Sequence, residues 1–151
     1  MQKYLYLLVI TTLFAIPRDL EAACSKKWRA IVRDGPSNQF ERLKMIPKYT
    51  PLIIEEIDGN WFRVKGYDFE GWVFSKSVSA KMNCMISLGE NEPICVGKRK
   101  TRSSRVSLSE GFKILKKELG CNFVQDRDGK RFWINSIGAW PENQAKLITI
   151  D

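Results

Sequence analysis

The feature that most constrains this chain is an internal repeat. Pro51 to Val78 laid without a gap over Phe112 to Ala139 pairs Ile53 with Ile114, Gly59 with Gly120, Phe62 with Phe123, Trp72 with Trp133 and Ser75 with Ser136. Ile54/Leu115 and Val73/Ile134 are conservative pairs in the same frame. Matches at one fixed offset, a tryptophan among them, indicate one structural unit used twice. Each copy is then close to the smallest size at which a domain folds alone. The reading divides the chain into a leader over residues 1–22, a first unit over 23–81 and a second over 82–151.

Within the first copy, Leu52 to Ile57 reads as a strand, Asp58-Gly59 as a tight turn and Asn60 to Val64 as the returning strand. Gly66-Tyr67-Asp68 turns the chain again into a third strand, Phe69 to Phe74. The second copy repeats the pattern with Phe112 to Leu119, a turn at Gly120-Cys121, Asn122 to Gln125, a turn over 126–129 and Arg131 to Asn135. No window outside the first residues carries a helical apolar stripe. The fold class is therefore all-β, with each meander bent into a small barrel to bury a core.

The first residues resemble a secretory signal peptide. Lys3 supplies a positive charge, Tyr4 to Ile16 is uncharged, and Leu20-Glu21-Ala22 favours a cut after Ala22. A lipoprotein site ending at Cys24 is the rival, disfavoured by Glu21 where a lipobox carries Leu. An exported chain meets an oxidising compartment, so Cys24, Cys84, Cys95 and Cys121 are expected to form disulfides. Three pairings exist on paper. Cys84 and Cys95 sum to the same constant as Gly89 and Glu90, which places them opposite each other across a hairpin and favours a Cys84–Cys95 bond. No C-x-x-C pair is present, so neither a zinc site nor an iron-sulfur cluster is expected.

The 151 residues include 25 Lys and Arg, 17 Asp and Glu and no His. Without imidazole there is no Ser-His or Cys-His nucleophile pair. The carboxylates Glu55, Glu56, Asp58, Asp68 and Glu70 fall on predicted turns and outer strand faces, where no pair has the buried surroundings that carboxylate acid–base catalysis needs. The sequence points to a protein that is not an enzyme and carries no cofactor. Its formal charge of +8 is divided evenly between the units, with one concentration at Lys98, Arg99, Lys100, Arg102 and Arg105. Such a cluster attracts an anionic polymer or head group in a salt-sensitive way. Nucleic acid fits that charge but not the leader.

Upstream of the meander the order Ile31-Val32-Arg33-Asp34-Gly35-Pro36-Ser37, then Gly59-Asn60-Trp61-Phe62-Arg63-Val64, then Gly71-Trp72-Val73-Phe74-Ser75 resembles a bacterial SH3 domain. Both units together resemble exported tandem bacterial SH3 proteins of the Gram-negative envelope. The second copy departs from the pattern: Lys98 to Arg105 replaces the Gly-Pro turn, Asn122 stands at the place of Trp61 and Phe132 at that of Gly71. In eukaryotic SH3 relatives the matching Trp forms the ligand groove, together with a Pro and a Tyr. Phe74 and Ser77 stand near those places, so binding of polyproline helices is not expected.

Strand alternation puts Phe62 and Val64 inward and Trp61 and Arg63 outward. Trp61, Arg63, Tyr49, Tyr67 and Phe69 are the candidate ligand-binding residues, and Phe62, Trp72, Val73, Phe123, Trp133 and Ile134 the candidate core. The resemblance implies an exported, envelope-located binding or scaffold protein, periplasmic or secreted and not integral to the membrane. Its expected partner is cell-wall peptidoglycan or an envelope protein. A secreted protein–protein interaction factor and an accessory module of a cell-wall hydrolase are the alternatives.

Overall fold

The computed structural model describes residues 21–88, 95, 106–136 and 138–141. Short runs in which every second residue is apolar dictate strands that bury one face, and the chain forms them in two antiparallel sheets. The first contains β1 (Glu21–Ser25), β2 (Arg29–Arg33), β3 (Arg42–Pro47), β4 (Pro51–Asp58), β5 (Trp61–Lys65), β6 (Glu70–Phe74) and β7 (Val78–Ser79) in the order β3-β2-β6-β5-β4-β1-β7. A single 3-10 turn, Ser75–Ser77, joins β6 to β7. The second contains β8 (Cys84–Ser87), β9 (Gly111–Glu118), β10 (Cys121–Gln125), β11 (Arg131–Asn135) and β12 (Ala139–Trp140) in the order β11-β10-β9-β8-β12. Among the described residues there is no α-helix, and no helix is long and apolar enough to cross a membrane.

Each sheet closes over its own core. Val32, Ile46, Leu52, Val64 and Val73 are essentially inaccessible in the first, with Phe62 and Phe69 packed against them. Met85, Val106, Phe112, Val124, Phe132 and Ile134 form the second. The strand order β11-β10-β9-β8-β12 follows that of β6-β5-β4-β1-β7, element for element.

The correspondence is not at one offset throughout. In the first hairpin Asp58 faces Trp61, and in the second Glu118 faces Cys121. That is an offset of 60, which superposes the buried pairs Leu52/Phe112 and Val64/Val124. The third strands keep 61, with Val73 and Ile134 both buried. The extra residue lies in the turn of five residues, 126–130, that replaces the four residues 66–69. Asp126 accounts for this longer turn: its buried Oδ1 accepts from the backbone N–H groups of Asp128 and Lys130 at 3.0 and 2.9 Å. The hairpin position of Trp61 is therefore taken by Cys121, not by Asn122.

The expected Cys84–Cys95 bond does not form. The disulfides join Cys24 to Cys84 and Cys95 to Cys121. A strand has two neighbours in a sheet, and β8 spends both on β9 and β12. At Cys84 the sulfur is turned to Cys24 of the first sheet, which leaves Cys95 to bond Cys121. Cys24 has its sulfur in a disulfide, which leaves no thiol for a lipid. The boundary expected after Ala22 falls inside β1, where Ala22 faces Ile53; residues 1–20 lie outside the described part.

Cys24 and Cys84 are buried beside Tyr49, with Met82 packed on them, and this cluster joins the two sheets. Tyr49 takes φ +67° at the corner between β3 and β4, a region costly for any residue with a Cβ. Ser25 holds that corner. Its Oγ donates to Pro47 O at 2.6 Å and accepts from Thr50 N–H at 2.9 Å, and its carbonyl accepts from Tyr49 N–H at 2.8 Å. The backbone of this corner seats directly on Gly111, where an added Cβ would lie 2.3 Å from Lys48 O.

Candidate functional site

The outward face of β5 and β6 gathers three half-buried aromatic side chains. Trp61 opens β5 and faces Phe74 across the strands, their ring centroids 5.5 Å apart. One row along, Arg63 faces Trp72. Because Val64 and Val73 take the inner face with no exposure, alternation turns Arg63 and Trp72 outward with the Trp61–Phe74 pair. The turn beneath is fixed by Ser75 N–H donating to Asn60 O at 2.8 Å.

Arg63 is tied to Glu70 by a hydrogen bond and ion pair, with Glu56 3.8 Å away. The hydrogen bond and then the charge of Glu70 push its pKa above the ordinary guanidinium value. The face is thus a half-buried aromatic shelf beside an ordered, permanently charged guanidinium. Such a surface can stack on planar or apolar ligand faces and donate hydrogen bonds at its rim.

Of the five residues expected to bind ligand, the structure brings together Trp61 and Arg63 alone. Tyr49 is buried, with 4% of its surface exposed, against the Cys24–Cys84 bond. Phe69 packs on the first core with Lys44 above its ring at 5.2 Å. Tyr67 is exposed, but it lies past the far end of β5 and meets Trp140 at 6.1 Å. The cluster Lys98, Arg99, Lys100, Arg102 and Arg105 lies outside the described residues.

Of the expected core, Val73 and Ile134 are buried and Phe62 is packed against the first core. Trp72, Phe123 and Trp133 are half-buried and face outward. Size suggests burial for a tryptophan, but the inner face of each third strand is already taken by the next residue, Val73 or Ile134. Phe123 and Trp133 stack across strands at 5.2 Å on the outer face of the second sheet. The signal for Phe74 and Trp72 was present in the period-two pattern that turned Trp61 outward. All four cysteines are used in disulfides, and among the described residues no group of three or more Cys, His, Asp or Glu is placed to hold a metal.

The fold is all-β and SH3-like, with this aromatic face on its outside. Residues 28–79 match the family described as bacterial SH3 domain. No curated protein matches the chain. Among solved structures the chain is similar to NlpC2 from Trichomonas vaginalis at 11% identity and TM-score 0.39, over 83% of this chain and 49% of that one. It is similar to NlpC1 from the same organism at 11% and 0.37, over 80% and 45%. A third similar structure, a novel NlpC/P60 endopeptidase from Photobacterium damselae subsp. piscicida, matches at 17% and 0.38, over 82% and 34%. The chain spans about half or less of the length of these proteins. Two disulfides together with a bacterial SH3 domain fit an extracytoplasmic protein.

Proposed function

We propose that this is an exported, non-enzymatic protein of two SH3-like units, the second a degenerate copy of the first, which binds peptidoglycan in the cell envelope. The observation that carries the reading is the Trp61–Phe74 pair, half-buried at 5.5 Å on the outer face of a bacterial SH3 domain. Keeping large aromatic surface partly in water costs free energy that a ligand recovers on covering it. In the second unit Cys121 and Asn135 stand where Trp61 and Phe74 do, and Cys121 is locked in a disulfide. The second sheet keeps an outer aromatic pair of its own, Phe123–Trp133, but the family match covers residues 28–79 alone, and recognition is assigned to the first unit on that ground.

Pull-down on purified peptidoglycan across a salt series tests the proposal. Retention that survives moderate salt and is lost in Trp61→Ala supports an aromatic contact. Retention that salt alone abolishes assigns binding to the net positive charge instead, and no retention at all sinks wall binding and favours a protein partner.

A further inference from the structure

Where the two sheets meet, the loop before β2, the corner before β4, the start of β9 and the turn after β10 come together around Arg127. Arg127 lines one cleft with Lys48 and Leu108, and its Cζ lies 5.4 Å from the ring centroid of Trp28. Lys48 Nζ sits 4.8 Å from that of Tyr49. A ring orients a cation without cancelling its charge. None of these residues belongs to the Trp61 face.

The first observation is exposed apolar surface held in place. Trp28 and Leu108 are 56% and 62% exposed, and Arg127 adjoins both. Apolar side chains scattered singly over a surface are ordinary, whereas neighbouring ones rimmed by polar groups mark a contact. Leu108 cannot withdraw. Ser107 N–H donates to Glu110 Oε2 and Glu110 N–H to Ser107 O, both at 3.1 Å, which closes the turn on itself. Ser109 N–H donates to Ser87 O at 2.7 Å and ties the turn to β8. Ser109 is held there at φ +60°, a region costly for any residue with a Cβ.

The second observation is charge. Segments 26–29, 47–48, 107–111 and 126–131 carry seven Lys and Arg against three Asp and Glu, an excess of four out of the chain's eight. The three carboxylates are engaged within their own turns. Asp126 is buried with its Oδ1 on two backbone N–H groups, Glu110 accepts from Ser107 N–H, and Asp128 lies 4.0 Å from Arg127 Nε. Lys26 and Lys27, next to Trp28, are exposed and meet no carboxylate among the described residues.

We propose that this surface docks on a bilayer that contains anionic phospholipid, with Trp28 and Leu108 entering the head-group region and the surrounding cations facing the phosphates. Tryptophan is favoured at that depth, where its apolar ring is covered and its indole N–H stays wet. Each Lys or Arg near such a surface strengthens binding about fivefold. A soluble polyanion would use the cations but leave Leu108 in water, so the exposed leucine favours the bilayer. No phosphate enters the cleft, where Glu110 would repel it; the bilayer responds to the summed charge of the surface. The proposal does not depend on wall binding.

Cosedimentation of the full, disulfide-intact chain with vesicles tests it, using equal parts phosphatidylglycerol and phosphatidylcholine, or phosphatidylcholine alone. The mixed vesicles are expected to retain the protein, and the neutral ones to retain it at least about tenfold more weakly. Lys26→Gln/Lys27→Gln should weaken retention on mixed vesicles about tenfold or more, and Leu108→Ser about three- to tenfold. These side chains are exposed, so the urea midpoint and retention on peptidoglycan should not change in either variant. No retention on mixed vesicles, or equal retention on both kinds, overturns the proposal. So does a Leu108→Ser chain that binds mixed vesicles as the unaltered chain does, which would leave a surface for polyanions in general. Vesicle binding without wall retention leaves this proposal intact, and wall retention without vesicle binding leaves the Trp61 reading intact.

Discussion

Removing the Cys24–Cys84 bond tests how the two sheets are joined. The bond spans a sequence separation of 60, and the Cys95–Cys121 bond one of 26. Loop-closure entropy gives about 4 kcal/mol for the first and about 3.5 kcal/mol for the second. That difference is small, so packing decides the ranking. Cys24 and Cys84 are 1% and 7% exposed and contact Tyr49, and truncating both leaves a void in the cluster that joins the sheets. A further ~1–2 kcal/mol follows from lost contacts and cavity. Urea unfolding of Cys24→Ala/Cys84→Ala should thus show a loss of about 5–6 kcal/mol, against about 4 kcal/mol for Cys95→Ala/Cys121→Ala. If removing the Cys24–Cys84 bond costs no more than removing the other, that cluster does not join the sheets as described. Non-reducing peptide mapping that finds Cys84 joined to Cys95 would refute the pairing outright.

Other substitutions report on single contacts. Gly111→Ala should cost about 1–3 kcal/mol in the same assay, because its Cβ would meet Lys48 O at 2.3 Å; an unchanged midpoint would show that the corner does not seat there. Ser25→Ala strips the buried Thr50 N–H of its acceptor and should cost about 1–3 kcal/mol, whereas a neutral result would mean another group replaces it. Asn122 is 1% exposed, and its Oδ1 is buried with no hydrogen-bond partner among the described residues. Asn122→Leu should therefore stabilise by about 1 kcal/mol, and destabilisation would contradict that unpaired oxygen.

What could be read from the sequence was local. The hairpin of β4 and β5 follows from Gly59, which takes φ +54°, between two alternating runs. The outward setting of Trp61 and Arg63 follows from the same period. The offset of 61 between the two meanders is wrong by one residue in the second hairpin, because Gly120 aligns with Gly59 by identity. In space Gly59 is the first residue of its two-residue turn and Gly120 the second. The disulfides depend on which strands β8 pairs with, and its partners β9 and β12 are distant in sequence. Nothing local to Cys84 or Cys95 reports that choice.

Wall binding, as proposed, depends on the outer aromatic face of the first unit. Its most direct measurement is a pair of binding isotherms on purified peptidoglycan at physiological salt, for the unaltered chain and for Trp61→Ala. The account predicts saturable binding by the first and a loss of at least about tenfold in the second, the scale of a buried aromatic anchor. Superimposable isotherms, or no binding by the unaltered chain, would contradict it.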